Sequence, residues 1–420
     1  MDKDLLLNVQ SKFGREISTQ RDIHQLKDDI FFLTTHQIGF NTLRRFFGFL
    51  DYVEPSRKTL IILSNYVGYR SYEAFLRRNV VDHVWEGWSK IIDISYKKTI
   101  EKEDLDWLIS CKNTPHYYLF LVKLINQLMS DKKIDQLVKI LSNPLLFKIP
   151  RSEFTKISAL IYMNKKEISV KELKYYTPLF NYEIYKQLVL FIYVDYDRYN
   201  FEYGQILQLA VPYLKKEDEV LFSKLFINIC DNLNNKKIRL DPNTLKLPLD
   251  CHPILYGRYM VMTLFYNDSI EKFNFLLDEA KKQKDKLLFF QEVILILMIM
   301  KRVNYLESIF ELYYDDLFGY RSWDHIMIER YNILALALVH MKRKELKQCT
   351  QLLSFFNQEK QIHSNNKIQT IFYSIANYYL LKRKKSDKKM IEEAKDLYME
   401  TVKKTKFRMF TLKYLKTYFN

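Results

Sequence analysis

Apolar residues recur at helical spacing through most of this 420-residue chain, and the breaks between the runs are short and polar. Near the N-terminus, Thr19-Gln20-Arg21-Asp22 has the character of a capping box, and Ile23, Leu26, Ile30 and Leu33 follow on one helix face. Gly39 breaks that helix. Asn41 can cap a second, shorter one, in which Leu43, Phe46 and Phe47 point inward and Thr42, Arg44 and Arg45 point largely outward. Gly48 permits a left-handed stop. Pro55-Ser56 opens a third helix with Leu60, Leu63 and Val67 inward. Gly68 ends it, and Ser71 starts a fourth containing Tyr72, Phe75 and Leu76.

Downstream, residues 101–235 alternate apolar helical stretches with polar breaks at Asn113-Thr114-Pro115, Asn143-Pro144 and Ile149-Pro150-Arg151-Ser152. Residues 236–254 are irregular, with three prolines, and mark a linker or crossover. Residues 255–420 read as helix pairs at about 286–316, 326–358 and 366–405, a spacing of roughly 40 residues that fits degenerate helical repeats. GYRSYEAF at Gly68–Phe75 echoes GYRSWDHI at Gly319–Ile326, as expected where a glycine helix stop precedes a serine cap. The expected domains are therefore 1–100, 101–235, the linker 236–254, and 255–420. The expected fold class is all-α: a small N-terminal domain followed by an α-solenoid of degenerate helical hairpins.

Composition sharpens this. Eight glycines and nine prolines are few, and none of the prolines lies after Pro253, which disfavours a turn-rich β fold. The longest apolar run, Val293–Met300, is too short to span a bilayer. The four cysteines lack metal or redox spacing, and the N-terminus lacks the apolar core of a signal peptide, so the expected location is cytoplasmic. No phosphate-binding glycine loop, nucleophile elbow or paired-histidine zinc motif is present, and the eight histidines are scattered, with His83 read as a packed or surface residue beside Trp85 and Trp88. No catalytic residue, metal site or cofactor is expected, and the chain is read as non-enzymatic.

The net charge is +16, unevenly spread: residues 1–100 carry 15 Lys/Arg against 12 Asp/Glu, residues 341–420 carry 19 against 7. The excess suits an anionic partner, or a lysine-rich solvated face. The candidate basic patch is Lys342, Arg343 and Lys344 with Lys382, Arg383, Lys384 and Lys385, at the turns of successive hairpins.

The segment Asp22–Arg78 resembles the lambda-repressor-like helix-turn-helix class, and in particular the N-terminal domain of a group of Bacteroidetes proteins. The resemblance rests on Ile38-Gly39-Phe40-Asn41-Thr42-Leu43-Arg44-Arg45-Phe46-Phe47-Gly48, on Pro55-Ser56-Arg57-Lys58-Thr59-Leu60, and on Tyr66-Val67-Gly68-Tyr69-Arg70-Ser71-Tyr72 with Phe75. The C-terminal hairpins resemble tetratricopeptide repeats, with Ala335, Ala337, Ala376 and Ala394 at contact positions. Together they imply a bacterial regulator that binds double-stranded DNA and takes a protein or peptide on its repeats. Asn41, Thr42, Arg44, Arg45, Arg57 and Lys58 are the candidate DNA contacts, with Arg70, Arg77 and Arg78 adding charge. The alternative is a protein-interaction scaffold without DNA binding. A contiguous positive face around Arg44 and Arg57 would favour DNA; a mixed or apolar face would favour a protein partner.

Overall fold

The computed structural model describes residues 3–114, 116–163, 170–236, 240–318, 323–358 and 367–420, of which 3, 77–84, 162–163, 170–171, 323–328 and 357–358 are described by backbone alone. The Arg77, Arg78 and His83 side chains and the echo at Gly319–Ile326 thus fall wholly or partly outside the described residues. The fold is all-α, and no strand occurs among the described residues. The chain divides into two compact units, Met1–Lys98 and Thr99–Asn420, so the irregular stretch 236–254 lies within the second.

The first unit holds α1 (Lys3–Phe13), α2 (Gln20–Thr34), α3 (Phe40–Phe46), α4 (Arg57–Tyr66) and α5 (Tyr72–Tyr96). Its caps follow from local chemistry. Thr19 and Asp22 form a reciprocal capping box at α2, the Ser56 hydroxyl accepts from the Thr59 N–H at 3.2 Å, and the Ser71 hydroxyl accepts from the Ala74 N–H at 3.1 Å. Gly48 (φ +79°) and Gly68 (φ +97°) each terminate a helix in the left-handed region, where a Cβ is disfavoured. The core joins Ile23, Leu26 and Ile30 to Leu43 and Phe46, Ile62, Leu63 and Tyr66, and Phe75. Leu5 and Val9 of α1, and Ile17, complete it. Leu33, expected on the same face as Ile23, Leu26 and Ile30, is about half exposed, as is Leu76 of α5.

The second unit begins with α6 (Lys102–Ser110), α7 (Tyr117–Ser130), α8 (Ile134–Leu141), α9 (Arg151–Met163), α10 (Val170–Tyr175), α11 (Glu183–Lys186), α12 (Glu202–Ala210) and α13 (Glu217–Leu233). Four hairpins follow: α14 (Pro253–Tyr266) with α15 (Ile270–Lys282), α16 (Lys286–Ile299) with α17 (Val303–Leu317), α18 (Trp323–Lys342) with α19 (Leu346–Gln358), and α20 (Lys367–Arg383) with α21 (Lys388–Thr405). A short α22 (Leu412–Lys416) ends the chain. The last three pairs lie where the 40-residue spacing places them.

Those three pairs share one turn. Lys301, Lys344 and Lys385 sit at φ +61°, +66° and +54°, and in each the next residue's N–H returns to a carbonyl five residues back. The bonds run from Arg302 to Leu297, from Glu345 to His340 and from Ser386 to Leu381, at 2.9, 2.9 and 3.0 Å. This is the hydrogen-bond pattern of a helix C-cap, with lysine where glycine is usual. The first helices stack α14 on α16, α16 on α18 and α18 on α20. α16 is buried on every side, whereas α15, α17 and α21 bury one face only. Gly257 lets α14 approach α16 closely: a Cβ there would meet the Phe289 carbonyl oxygen of α16 at 2.0 Å.

Candidate functional site

The candidate DNA contacts lie on α3 and the first turn of α4, and the structure gives them different circumstances. α3 starts two residues earlier than a cap at Asn41 requires. Gly39 is the N-cap, with no side-chain cap bond, and the Asn41 amide oxygen instead accepts from Arg44 Nη1 at 3.3 Å. The cause is tertiary. The Phe40 ring stacks on His24 of α2 with centroids 4.0 Å apart, which draws Phe40 into the first turn. The Arg44 guanidinium lies 5.6 Å from that ring, its Nε buried. Arg44 is thus laid along its own helix rather than extended toward a ligand. Thr42 is half-buried.

Arg57 pairs with Glu73 at 3.0 Å, joining the starts of α4 and α5, and both side chains face solvent. Such a solvent-screened pair contributes little stability, but it places a carboxylate beside Arg57. Arg45, Lys58 and Arg70 are exposed and make no ion pair among the described residues. The structure therefore brings Asn41 together with Arg44, leaves Arg45 and Lys58 free, and gives a charge face of mixed sign.

An apolar feature lies on the same unit. At the end of α2, Phe31, Phe32 and Leu33 are 49%, 82% and 51% exposed. Tyr52 and Val53, between α3 and α4, are also about half exposed. The signal was present in the sequence: in Ile30-Phe31-Phe32-Leu33 four consecutive apolar residues cannot share one buried stripe, because successive side chains diverge by about 100°.

The C-terminal basic runs do fall at hairpin turns, but several of their charges are already engaged. Arg343 bonds Glu307 and Glu311 of α17, and Lys342 lies 3.8 Å from Glu307. Arg383 donates to the Met341 carbonyl, and Lys384 Nζ to Thr350 Oγ1 at 2.8 Å. These side chains tie each turn to the preceding hairpin. Lys344, Lys382 and Lys385 remain exposed with no ion pair among the described residues.

The polar clusters inside the second unit are structural in form. Arg258 and Glu292 pair at 2.9 Å between α14 and α16, Tyr196 donates to the second Glu292 oxygen, and Arg258 lies against the Phe222 and Phe226 rings at 4.8 and 5.4 Å. Asp197 is buried and accepts the backbone N–H groups of Lys367 and Ile368 at the start of α20. Burial, and then the charge of Asp195, push its carboxyl up to about 7. All four cysteines are free thiols, and burial raises Cys230 and Cys349 above the ordinary thiol range, which opposes nucleophilic use. Among the described residues no group of acidic, histidine or cysteine side chains could hold a metal ion, and no helix is long and apolar enough to cross a membrane.

Compared with known proteins, the chain matches no family model, no curated protein and no solved structure.

Proposed function

We propose that this chain is a non-enzymatic protein-recognition scaffold: a helix-turn-helix-like N-terminal domain and an α-solenoid of helical hairpins, each offering a surface to another polypeptide. The observation that carries this reading is the exposed Phe31-Phe32-Leu33 run on the first unit, and a charge face of mixed sign stands second to it. Large apolar side chains exposed together at one helix end mark a protein contact more often than a nucleic-acid one, whose surfaces are strongly positive.

A second reading, DNA binding, is favoured by Arg45 and Lys58, which stand exposed at α3 and at the start of α4 and make no ion pair among the described residues. Titration of the full chain with a 30-base-pair duplex over a salt series separates the two. The scaffold reading expects binding unaffected by Arg45→Ala/Lys58→Ala. A drop of tenfold or more at low salt in that variant, with a shallower salt dependence, would replace it with the DNA reading. In parallel, Phe32→Glu is expected to abolish a discrete cross-linked partner in an extract of the source cells, whereas the Arg45/Lys58 variant retains it.

A further inference from the structure

The solenoid reading leads one to look for a peptide along the layer formed by α16, α18 and α20. Part of that layer is already covered, by the chain's own C-terminus. After α21 the backbone turns at Lys406 (φ +58°), and residues 407–420 run across α20 to the end of α16. Phe407, Phe410, Tyr414 and Tyr418 are each at least nine-tenths buried. Phe407 and Phe410 precede the short helix α22, Tyr414 lies on it and Tyr418 follows it, so the four rings are spaced three, four and four residues apart along a mostly non-helical segment. Phe410 and Tyr418 pack on Phe372 of α20. The Tyr414 hydroxyl donates to the Ile299 carbonyl and the Tyr418 hydroxyl to the Met298 carbonyl, both at 2.8 Å, satisfying the open C-terminal end of α16. Burial holds both phenols protonated well beyond their ordinary range, so they stay donors.

The groove answers in kind. Lys301 Nζ donates to the Tyr414 and Thr417 carbonyls, both at 3.2 Å, and to Thr417 Oγ1 at 2.8 Å, and Tyr379 donates to the Leu415 and Lys416 carbonyls at 3.0 and 2.8 Å. Among the described residues, one backbone-to-backbone bond, Met409 N–H to the Leu233 carbonyl at 2.9 Å, ties the segment to the rest of the unit. Attachment through side chains and helix ends is how a bound peptide is held. An open surface depression of about 290 Å³ lies beside Met409 and Tyr414, bounded by Phe265, Asp268 and Arg302.

We propose that residues 407–420 are a built-in competitor for a peptide groove, and that a partner of this unit carries aromatic residues at the same three-four-four spacing and enters by displacing them. The proposal rests on the reading of the hairpin unit as protein-binding. It is tested without any outside partner, so that its failure leaves partner capture through Phe32 to be judged separately.

The experiment uses the full chain with a protease site inserted after Lys406, which is exposed, and a fluorescein-labelled peptide of residues 407–420. The cut chain is expected to exchange its tail for the label. Unlabelled peptide competes, and a Tyr414→Ala/Tyr418→Ala peptide competes at least tenfold more weakly. The uncut chain is expected to bind the label about 100-fold more weakly, because a tether holds the tail at an effective concentration on the order of millimolar. An uncut chain carrying Tyr414→Ala/Tyr418→Ala should take up the label nearly as well as the cut chain. A cut chain that keeps its helical circular dichroism but binds no label would overturn the proposal. So would a cut chain that unfolds, since the segment would then be core.

Discussion

A lysine held at positive φ carries a cost that glycine does not, and the turns of the last three hairpins each place one there. The left-handed conformation costs an L-residue roughly 1–2 kcal/mol, and glycine gives back part of the gain through the freedom it adds to the unfolded chain, about 0.5–1 kcal/mol. At Lys344 and Lys385, whose side chains are exposed and make no ion pair among the described residues, Lys→Gly should therefore stabilise by about 0.5–1 kcal/mol. Lys301 differs only in what its ammonium does. It makes three hydrogen bonds to the last turn of the chain and sits 4.3 Å from the Tyr414 ring centroid. Hydrogen bonds from a charged donor contribute about 1.5–3 kcal/mol, which exceeds the backbone gain, so Lys301→Gly should destabilise by about 1–2 kcal/mol. Urea unfolding followed by circular dichroism compares the three variants, with Lys344→Ala as a control that keeps the Cβ and should be near neutral. Three shifts of the same sign, or a stabilised Lys301→Gly, would refute the reasoning.

Two other perturbations probe the buried polar groups. Glu292→Ala leaves the Arg258 guanidinium, 1% exposed, without its carboxylate. It should cost about 3–5 kcal/mol, with Arg258→Met/Glu292→Met recovering most of that, and a loss under about 1 kcal/mol in urea unfolding would count against a buried ion pair. Asp197 has a folded pKa raised to about 7, chiefly by burial and then by Asp195, from an ordinary value of 3.8. The native state therefore binds a proton that the unfolded chain releases, and stability should rise as pH falls from 8 toward 5. Asp197→Asn should flatten that slope, whatever its effect on absolute stability, and an unchanged slope in the variant would exclude Asp197 as its source.

Where periodicity and local capping decide the structure, the sequence was sufficient. The starts of α2, α4 and α5 follow from Thr19, Ser56 and Ser71, and the three hairpins fall where the spacing of apolar runs puts them. Asn41 shows the limit. Its capping propensity is real, but stacking of Phe40 on His24, sixteen residues away, moves the helix start and ties Asn41 to Arg44. The basic runs show another. Their place at the turns is a local property, whereas the engagement of Arg343 by Glu307 and of Arg383 by Met341 depends on neighbours 36 and 42 residues away.

The same distinction bears on the last 14 residues. Read locally, isolated rings between lysines after α21 give no helix of useful length, and only Leu412–Lys416 forms one. Their meaning comes from what they cover. α16 is apolar all round, so a single partner helix cannot bury it. Residues 407–420 reach its C-terminal end, where the Ile299 carbonyl accepts from the Tyr414 hydroxyl and the Met298 carbonyl from the Tyr418 hydroxyl. An interior helix of this kind requires a cover on each side, and a cover supplied by a segment outside the helix pairs, held mainly by side chains, is the one that another polypeptide could replace without dismantling a hairpin. The surface with the most to say about binding in the second unit is therefore one that the folded chain keeps hidden, and its specificity is written in the spacing of Phe407, Phe410, Tyr414 and Tyr418.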